Sequence, residues 1–225
     1  MVAFLLAAYF SSFFVSFDTL APFYRGLEAL IAGNVLHRCR TSHLAEARIS
    51  RKALLLGEGP GRFLVELLRE NPNVDVTCVE ASPGMIAEAR ARVSESDRAR
   101  VHFERADALH WRQPPDARFD LVATHFFLDC FREDELQKVV QKIGACATGD
   151  ARWLVSDFRI PESGWQNFRA RLAVSLMYRC FRIVTGISAS RLTPPGPFLR
   201  ENGFELAARR LGNFGLVYAD LWVRR

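Results

Sequence analysis

Residues 52–68, KALLLGEGPGRFLVELL, pass from an apolar run to a second apolar pattern through three glycines, Gly57, Gly59 and Gly61. The run before the glycines reads as a strand. After them, Phe63, Leu64, Leu67 and Leu68 share one helical face. A strand that turns at once into a helix opens an alternation that the chain then keeps. VDVTCVEA is a second strand, followed by Ser82 as a helix cap, Pro83 at the first helical position, and Met85, Ile86, Ala89 and Val93 inward. VHFERAD and FDLVATHF read as the third and fourth strands. REDELQKVVQKIGACATG is a helix with Leu136, Val139, Val140, Ile143 and Cys146 inward, expected to close at Gly149. ARWLVSDF is a fifth strand. GFELAARRLG and GLVYADLWVRR form a final pair joined by the turn-like GNFG. Strands alternating with helices imply an α/β fold: a seven-stranded, mostly parallel sheet covered on both faces, with an antiparallel C-terminal edge strand.

Composition limits what this frame can serve. With 225 residues, 49% hydrophobic and 24% charged, the chain suits one globular domain. We expect an apolar, helical lead-in over residues 1–49 and the main domain over 50–225, with a helical, arginine-rich insert at about 159–203. The net charge of +5 rests on 27 arginines and only three lysines. Codon composition explains that bias more simply than a nucleic-acid footprint, and no nucleic-acid partner is expected. The five cysteines are odd in number, widely spaced and without a CxxC pair, which fits a reducing, cytoplasmic setting. His37, Cys39 and His43 do not share a helix face, so no metal is expected. Residues 1–16 carry no charged side chain, are short for a membrane span and lack the basic start of a secretory signal. A packed helix and a peripheral membrane contact both remain open for them.

The glycine turn lies where a doubly wound sheet opens a crevice for ligands. Glu80 ends the second strand and could accept from both hydroxyls of a ribose. Asp107 ends the third and could accept from an adenine amino group. A nicotinamide fingerprint, GxGxxG, fails in both registers, because its third glycine would fall on Arg62 or Leu64. The loop instead reads GxGxG with an acid, Glu58, inside it. That acid would repel a pyrophosphate and suit a cationic ligand. S-adenosylmethionine, with its sulfonium and ammonium groups, is such a ligand.

ALLLGEGPGRF, CVEASPGMIAEAR, RADAL and FDLVATHFFLDCF, in this order and spacing over residues 50–160, resemble the motifs of class I S-adenosylmethionine-dependent methyltransferases. The upstream FDTLAPFYRGLEAL is similar to the lead-in of the small-molecule methyltransferases of ubiquinone and menaquinone biosynthesis. The resemblance implies a Rossmann-like fold and S-adenosylmethionine as cofactor. It implies that Gly57, Gly59 and Gly61 line the methionine part, Glu80 holds the ribose, and Ala81 and Met85 border the adenine. Asp107 and Ala108 would meet the adenine amino edge, and Thr124 would face the methionine side. The family usually has an acid two positions before the first glycine. Here that position is Leu55, and Glu58 is the candidate to replace it toward the ammonium group.

Methyl transfer needs an acceptor aligned behind the methyl group, water excluded and, where the acceptor carries a proton, a base. His125, Asp129 and Asp157, after the fourth and fifth strands, are the candidates, each with a plainer reading as packing, helix cap or backbone partner. From Ser163 to Arg200 no acidic residue occurs, while Arg169, Arg171, Arg179, Arg182, Arg191 and Arg200 alternate with apolar side chains. This stretch reads as a buried helix with snorkelling arginines, as a lid for a lipidic or anionic acceptor, or as a contact with an anionic membrane. As a lid it would cover the active site. Two functions follow: methyl transfer to a small or lipidic acceptor, or non-catalytic S-adenosylmethionine binding by a regulatory or assembly protein.

Overall fold

The computed structural model describes residues 34–161 and 192–225. Helix α1 (Asn34–Thr41) precedes the sheet. Then come β1 (Lys52–Leu56), α2 (Arg62–Glu70), β2 (Asp75–Glu80), α3 (Pro83–Arg92), β3 (Val101–Arg105) and β4 (Phe119–His125). Helix α4 (Glu133–Cys146), β5 (Ala147–Phe158), α5 (Gly196–Glu201), β6 (Phe204–Gly212) and β7 (Val217–Arg224) complete the described chain. The seven strands lie in the order β3-β2-β1-β4-β5-β7-β6. The first five are parallel. β7 runs antiparallel between β5 and β6, so the C-terminal hairpin closes one side of the sheet.

The apolar run of β1 is buried on both faces, as a central parallel strand requires. Leu54 and Leu56 join Val122, Trp153, Leu136, Val140 and Trp222 on one side. Ala53 and Leu55 join Phe63, Leu64, Leu67 and Leu154 on the other. The α2 stripe of Phe63, Leu64, Leu67 and Leu68 is buried as its spacing predicts. Each such side chain contributes about 1.5–3 kcal/mol by leaving water. Ser82 caps α3, its hydroxyl accepting from the Met85 N–H at 3.1 Å.

Helix α4 ends earlier than its sequence suggests. It stops at Cys146, Ala147 is already extended (φ −83°, ψ 143°), and Gly149 lies inside β5 rather than closing the helix. The cause is the neighbouring strand: Ala147 already pairs with Phe119, across an irregularity in the β4–β5 register.

Helix α1 is fastened to the sheet through Cys39. Its thiol donates to the Tyr218 carbonyl at 3.1 Å, and its carbonyl accepts from Ser156 Oγ at 3.3 Å. His43 bonds the Ala219 carbonyl at 3.1 Å. His37 faces Glu66 at 3.9 Å. The three residues weighed as metal ligands therefore each hold a different part of the protein. No described helix is long and apolar enough to cross a membrane. Residues 1–33, and with them the apolar N-terminus, lie outside the described residues. So do residues 162–191, the greater part of the arginine-rich insert. Its described end breaks at Pro194 and Pro195 and restarts as α5.

Candidate functional site

A cavity of about 320 Å³ opens at the carboxyl ends of the parallel strands. Gly57, Glu58, Gly59, Glu80, Ala81, Met85, Asp107, Ala108 and His125 all line it. The turn, the two strand-end acids and the fourth strand's histidine thus meet, although 68 positions separate Gly57 from His125. Thr124 does not line the cavity. It is fully buried, and its hydroxyl accepts from Trp153 Nε1 at 2.9 Å. Successive strand residues point to opposite faces, so β4 presents His125 here in place of Thr124. Gly61 also stands back from the cavity wall, where it lets two helices meet.

The glycines have separate reasons to be bare. Gly57 (φ 61°) lies under the Phe127 ring, and a Cβ there would fall 2.2 Å from Cδ2. Gly61 (φ 80°) packs on Ala89 of α3, with a Cβ contact of 2.9 Å. Gly59 (φ 64°) has nothing within 4 Å of the same position. It leaves bare backbone on the cavity wall, a surface that a ligand can approach closely.

Glu80 is held by two backbone donors. Gly59 N–H donates to Oε2 at 3.1 Å and Ser82 N–H to Oε1 at 3.0 Å. The carboxylate thereby ties the glycine loop to the start of α3. Asp107 Oδ1 accepts from the Leu109 N–H at 2.9 Å. Lys142 reaches across from α4 to donate to the carbonyls of Ala108 and Leu109 at 3.0 and 2.7 Å. That lysine fixes the loop bearing Asp107 from a distance of more than thirty positions, which no local pattern could reveal.

Glu58 caps α2. Its Oε1 accepts from Phe63 N–H at 2.8 Å and Leu64 N–H at 3.0 Å, two donors that the helix leaves unpaired. Burial pushes its carboxyl up to about 7, against the pull of these bonds and of Arg40. Leu55, where the family usually has an acid, is fully buried against the α2 core. A carboxylate on this wall therefore comes from inside the loop.

His125 packs edge-on to Phe63 with ring centroids 4.5 Å apart. Both its ring nitrogens are buried without a hydrogen-bond partner among the described residues. Burial, with the nearby Arg40 charge, drops its pKa to about 3, so the ring is neutral. Asp157 and Asp129 form a buried acid pair next to the cavity. Asp157 Oδ1 accepts from the Phe127 N–H at 3.2 Å. Burial and the adjoining Asp129 carboxyl, in hydrogen-bond contact with it, hold Asp157 well above the usual carboxylate range. The two carboxyls line a second cavity of about 430 Å³ together with Phe158, Arg159, Tyr218 and Trp222.

Ten wall residues escaped the sequence reading, and three of them stand out. Arg40 comes from α1, and Phe126 and Phe127 follow β4. Phe126 has a left-handed backbone (φ 55°). Such strain in a non-glycine residue costs about 1–3 kcal/mol and gathers at functional sites. The repeated aromatic FF in the fourth motif was the one available signal.

The donor set fits an adenosyl sulfonium compound. Bare backbone at Gly59, an anchored strand-end carboxylate at Glu80 and a neutral imidazole face one space. Residues 53–148 match the family model described as "Methyltransferase domain". A malonyl-acyl-carrier protein O-methyltransferase from a Paenibacillus species is 30% identical over 111 residues, covering 49% of this chain and 39% of that protein. A demethylmenaquinone methyltransferase from Deinococcus radiodurans is 28% identical over 223 residues, covering 92% of this chain and 89% of the relative. Among solved structures, the Bradyrhizobium japonicum N-methyltransferase NodS in complex with S-adenosyl-l-homocysteine is similar in fold. Its TM-score is 0.61 at 13% identity, over 84% of this chain and 87% of NodS. In its motifs and fold the chain is similar to S-adenosylmethionine-dependent methyltransferases, with the match to the domain model confined to residues 53–148, and it spans 39% of the length of the Paenibacillus relative and 89% of the Deinococcus one.

Proposed function

We propose that the chain methylates a small or lipidic acceptor that enters beside the Asp129–Asp157 pair. In this reading Gly57, Gly59 and Glu58 receive the amino-acid end of the cofactor, Glu80 the ribose, and Ala81, Met85, Asp107 and Ala108 the adenine. When bound, the cofactor supplies a methyl carbon made electrophilic by its sulfonium. The protein's own part is to align the acceptor, keep water out and take up a proton. Phe127 and Phe131, ring centroids 5.0 Å apart, form an apolar part of the cofactor cavity's wall and would exclude water.

The observation that carries this reading is the buried acid pair beside the cofactor cavity. Two carboxyls in contact in a dry site hold one proton between them more readily than two separate charges. With its proton affinity raised, the pair is a better proton acceptor than His125, whose pKa of about 3 makes it a weak base. The pair would take the proton that the acceptor releases at the carboxyl oxygen that the shared proton leaves free, on Asp129 while Asp157 holds its own.

The aromatic wall of Phe127 and Phe131 and the relatives named as demethylmenaquinone methyltransferases favour an acceptor with an aromatic ring and an apolar tail. A cytoplasmic enzyme meeting its acceptor at a membrane surface agrees with that. To test the function, protein, isotopically methyl-labelled S-adenosylmethionine and either a demethylquinol or a lipid extract are incubated and the products weighed. Label in a discrete product supports methyl transfer. Tight cofactor binding with no labelled product and no S-adenosylhomocysteine release supports the non-catalytic alternative. Asp157→Asn should lower kcat by about 10²–10⁴ while leaving cofactor affinity unchanged. An unchanged kcat removes the pair from the reaction.

A further inference from the structure

Trp111, Trp153 and Trp222 are all buried among the described residues. Two of them have their indole N–H occupied. Trp111 donates to Glu104 Oε2, and Trp153 donates to Thr124 Oγ1 at 2.9 Å. Trp222 is 1% exposed, yet its Nε1 has no hydrogen-bond partner among the described residues. A buried N–H left without an acceptor costs about 1–3 kcal/mol, and folded proteins carry few of them. Trp222 lines the second cavity, whose wall also holds the Asp129–Asp157 pair.

The nitrogen-bearing side of this indole faces the start of α5. A Cβ on Gly196 would stand 3.7 Å from Trp222 Cζ2, two bonds from Nε1, and 3.5 Å from Arg200 Nη1. The bare glycine thus leaves room between the ring edge and the guanidinium, which lies 5.4 Å from the ring centroid. Asp157 pairs with Tyr218 across the β5–β7 ladder, and Trp222 lies four positions further along β7, about 13 Å of strand. Tyr218, Asp220 and Trp222 share one face of that strand. Asp220, between the other two, is closed by Arg209 Nε and Nη2, each 2.7 Å from a carboxylate oxygen. The cavity therefore offers a ligand an acid pair toward one end and an N–H donor toward the other, with a satisfied ion pair between them.

We infer that Trp222 Nε1 donates to an oxygen of the methyl acceptor, on the edge opposite the hydroxyl that faces the acid pair, and that Arg200 adds its charge where that oxygen belongs to a carboxylate. This rests on the reading of the second cavity as the acceptor's. It narrows the acceptor to a hydroxylated aromatic ketone or acid, with its two oxygen functions on opposite edges of the ring system. A ring that bears only hydrocarbon at that edge leaves the indole N–H unpaired and binds less well for it.

Three probes test it by calorimetry in the presence of S-adenosylhomocysteine. 6-Hydroxy-2-naphthoic acid and 6-acetyl-2-naphthol carry an oxygen function opposite the hydroxyl, and 2-naphthol lacks it. Wild-type protein should bind the first two at least about fivefold more tightly than the third. Trp222→Phe should erase that preference and leave 2-naphthol within about twofold. Arg200→Met, a change at an exposed side chain, should weaken the acid and spare the ketone. If Trp222→Phe does not fold, wild-type protein with nitrogen-labelled tryptophan serves. The Trp222 indole N–H signal, assigned through its neighbour Gly196, should move when the ketone is added, while those of Trp111 and Trp153 stay in place. No preference in the wild type, an equal loss for all three probes in Trp222→Phe, or an unmoved Trp222 signal overturns the inference. An Arg200→Met variant that holds the acid as tightly as before removes Arg200 from it. A protein with the preference that releases no S-adenosylhomocysteine with any acceptor refutes methyl transfer and leaves the subsite standing. Labelled product from an acceptor without a second oxygen does the reverse.

Discussion

The Phe127 ring presses on Gly57 so closely that a Cβ there would fall 2.2 Å from Cδ2. The contact joins the first strand's turn to the fourth strand's end, 70 positions apart in the chain. It also sets a demand on Phe127, whose N–H is held by Asp157 Oδ1. The ring cannot slide away from the glycine without disturbing the acid pair.

Gly57→Ala should therefore cost stability twice, through a left-handed backbone and through overpacking, each about 1–3 kcal/mol. Adding Phe127→Ala removes the clash and leaves the backbone strain. In denaturant melts the double variant should recover part of the loss relative to the sum of the single changes. Strict additivity would show that the ring is not what excludes a side chain at Gly57.

Gly59→Ala should behave differently. Its φ of 64° imposes a similar strain, but a Cβ meets nothing within 4 Å. The added methyl would stand on the cavity wall. Stability should fall by about 1 kcal/mol, whereas affinity for S-adenosylhomocysteine should fall at least tenfold, read by calorimetry. A variant that binds normally would place the cofactor elsewhere on the wall.

Glu58 should give the protein an unusual acid response. Its carboxyl has a pKa of about 7 in the folded chain against an ordinary 4.5. Between these values the folded chain holds a proton that the unfolded chain has released. This contribution is fully present below pH 4.5 and is lost as pH rises toward 7, by at most about 3 kcal/mol at 1.36 kcal/mol per unit. Glu58→Gln keeps an oxygen to accept from Phe63 and Leu64 but does not titrate. Its stability, measured by urea melts, should gain on wild type as pH is raised from 4 to 8. Parallel curves would mean that Glu58 titrates normally.

The positions that the sequence revealed are those set by local rules. Gly57, Gly59 and Glu80 follow from a strand passing into a turn, and Ser82 from the preference of a helix start for a hydroxyl. Thr124 and His125 show where such rules stop. Both end one strand, and only the register against β5, with Thr124 on Trp153, decides which of them faces the cavity. Arg40 lies further still from any local signal. A helix outside the sheet brings it in, and its anchors, Ser156 and Tyr218, are more than a hundred positions away. Glu58 was legible as an acid in the loop, but its duty to the α2 N-terminus depends on the side chain turning back, which spacing alone does not set.

His125 should oppose Glu58 across the same pH range. In the folded chain burial drops its pKa to about 3, against an ordinary 6.5. Below 6.5 the unfolded chain takes up a proton that the folded ring refuses. This contribution is present above pH 6.5 and lost as pH falls, by about 2 kcal/mol at pH 5. Between 4.5 and 6.5 the two residues thus impose slopes of similar size and opposite sign, and wild-type protein should show little net effect from them. Removing either one should unmask the other. His125→Asn should gain about 2 kcal/mol on wild type when pH is lowered from 7 to 5, while Glu58→Gln should lose ground over the same interval. If both single variants track wild type through this window, neither side chain is held in the protonation state that its burial dictates.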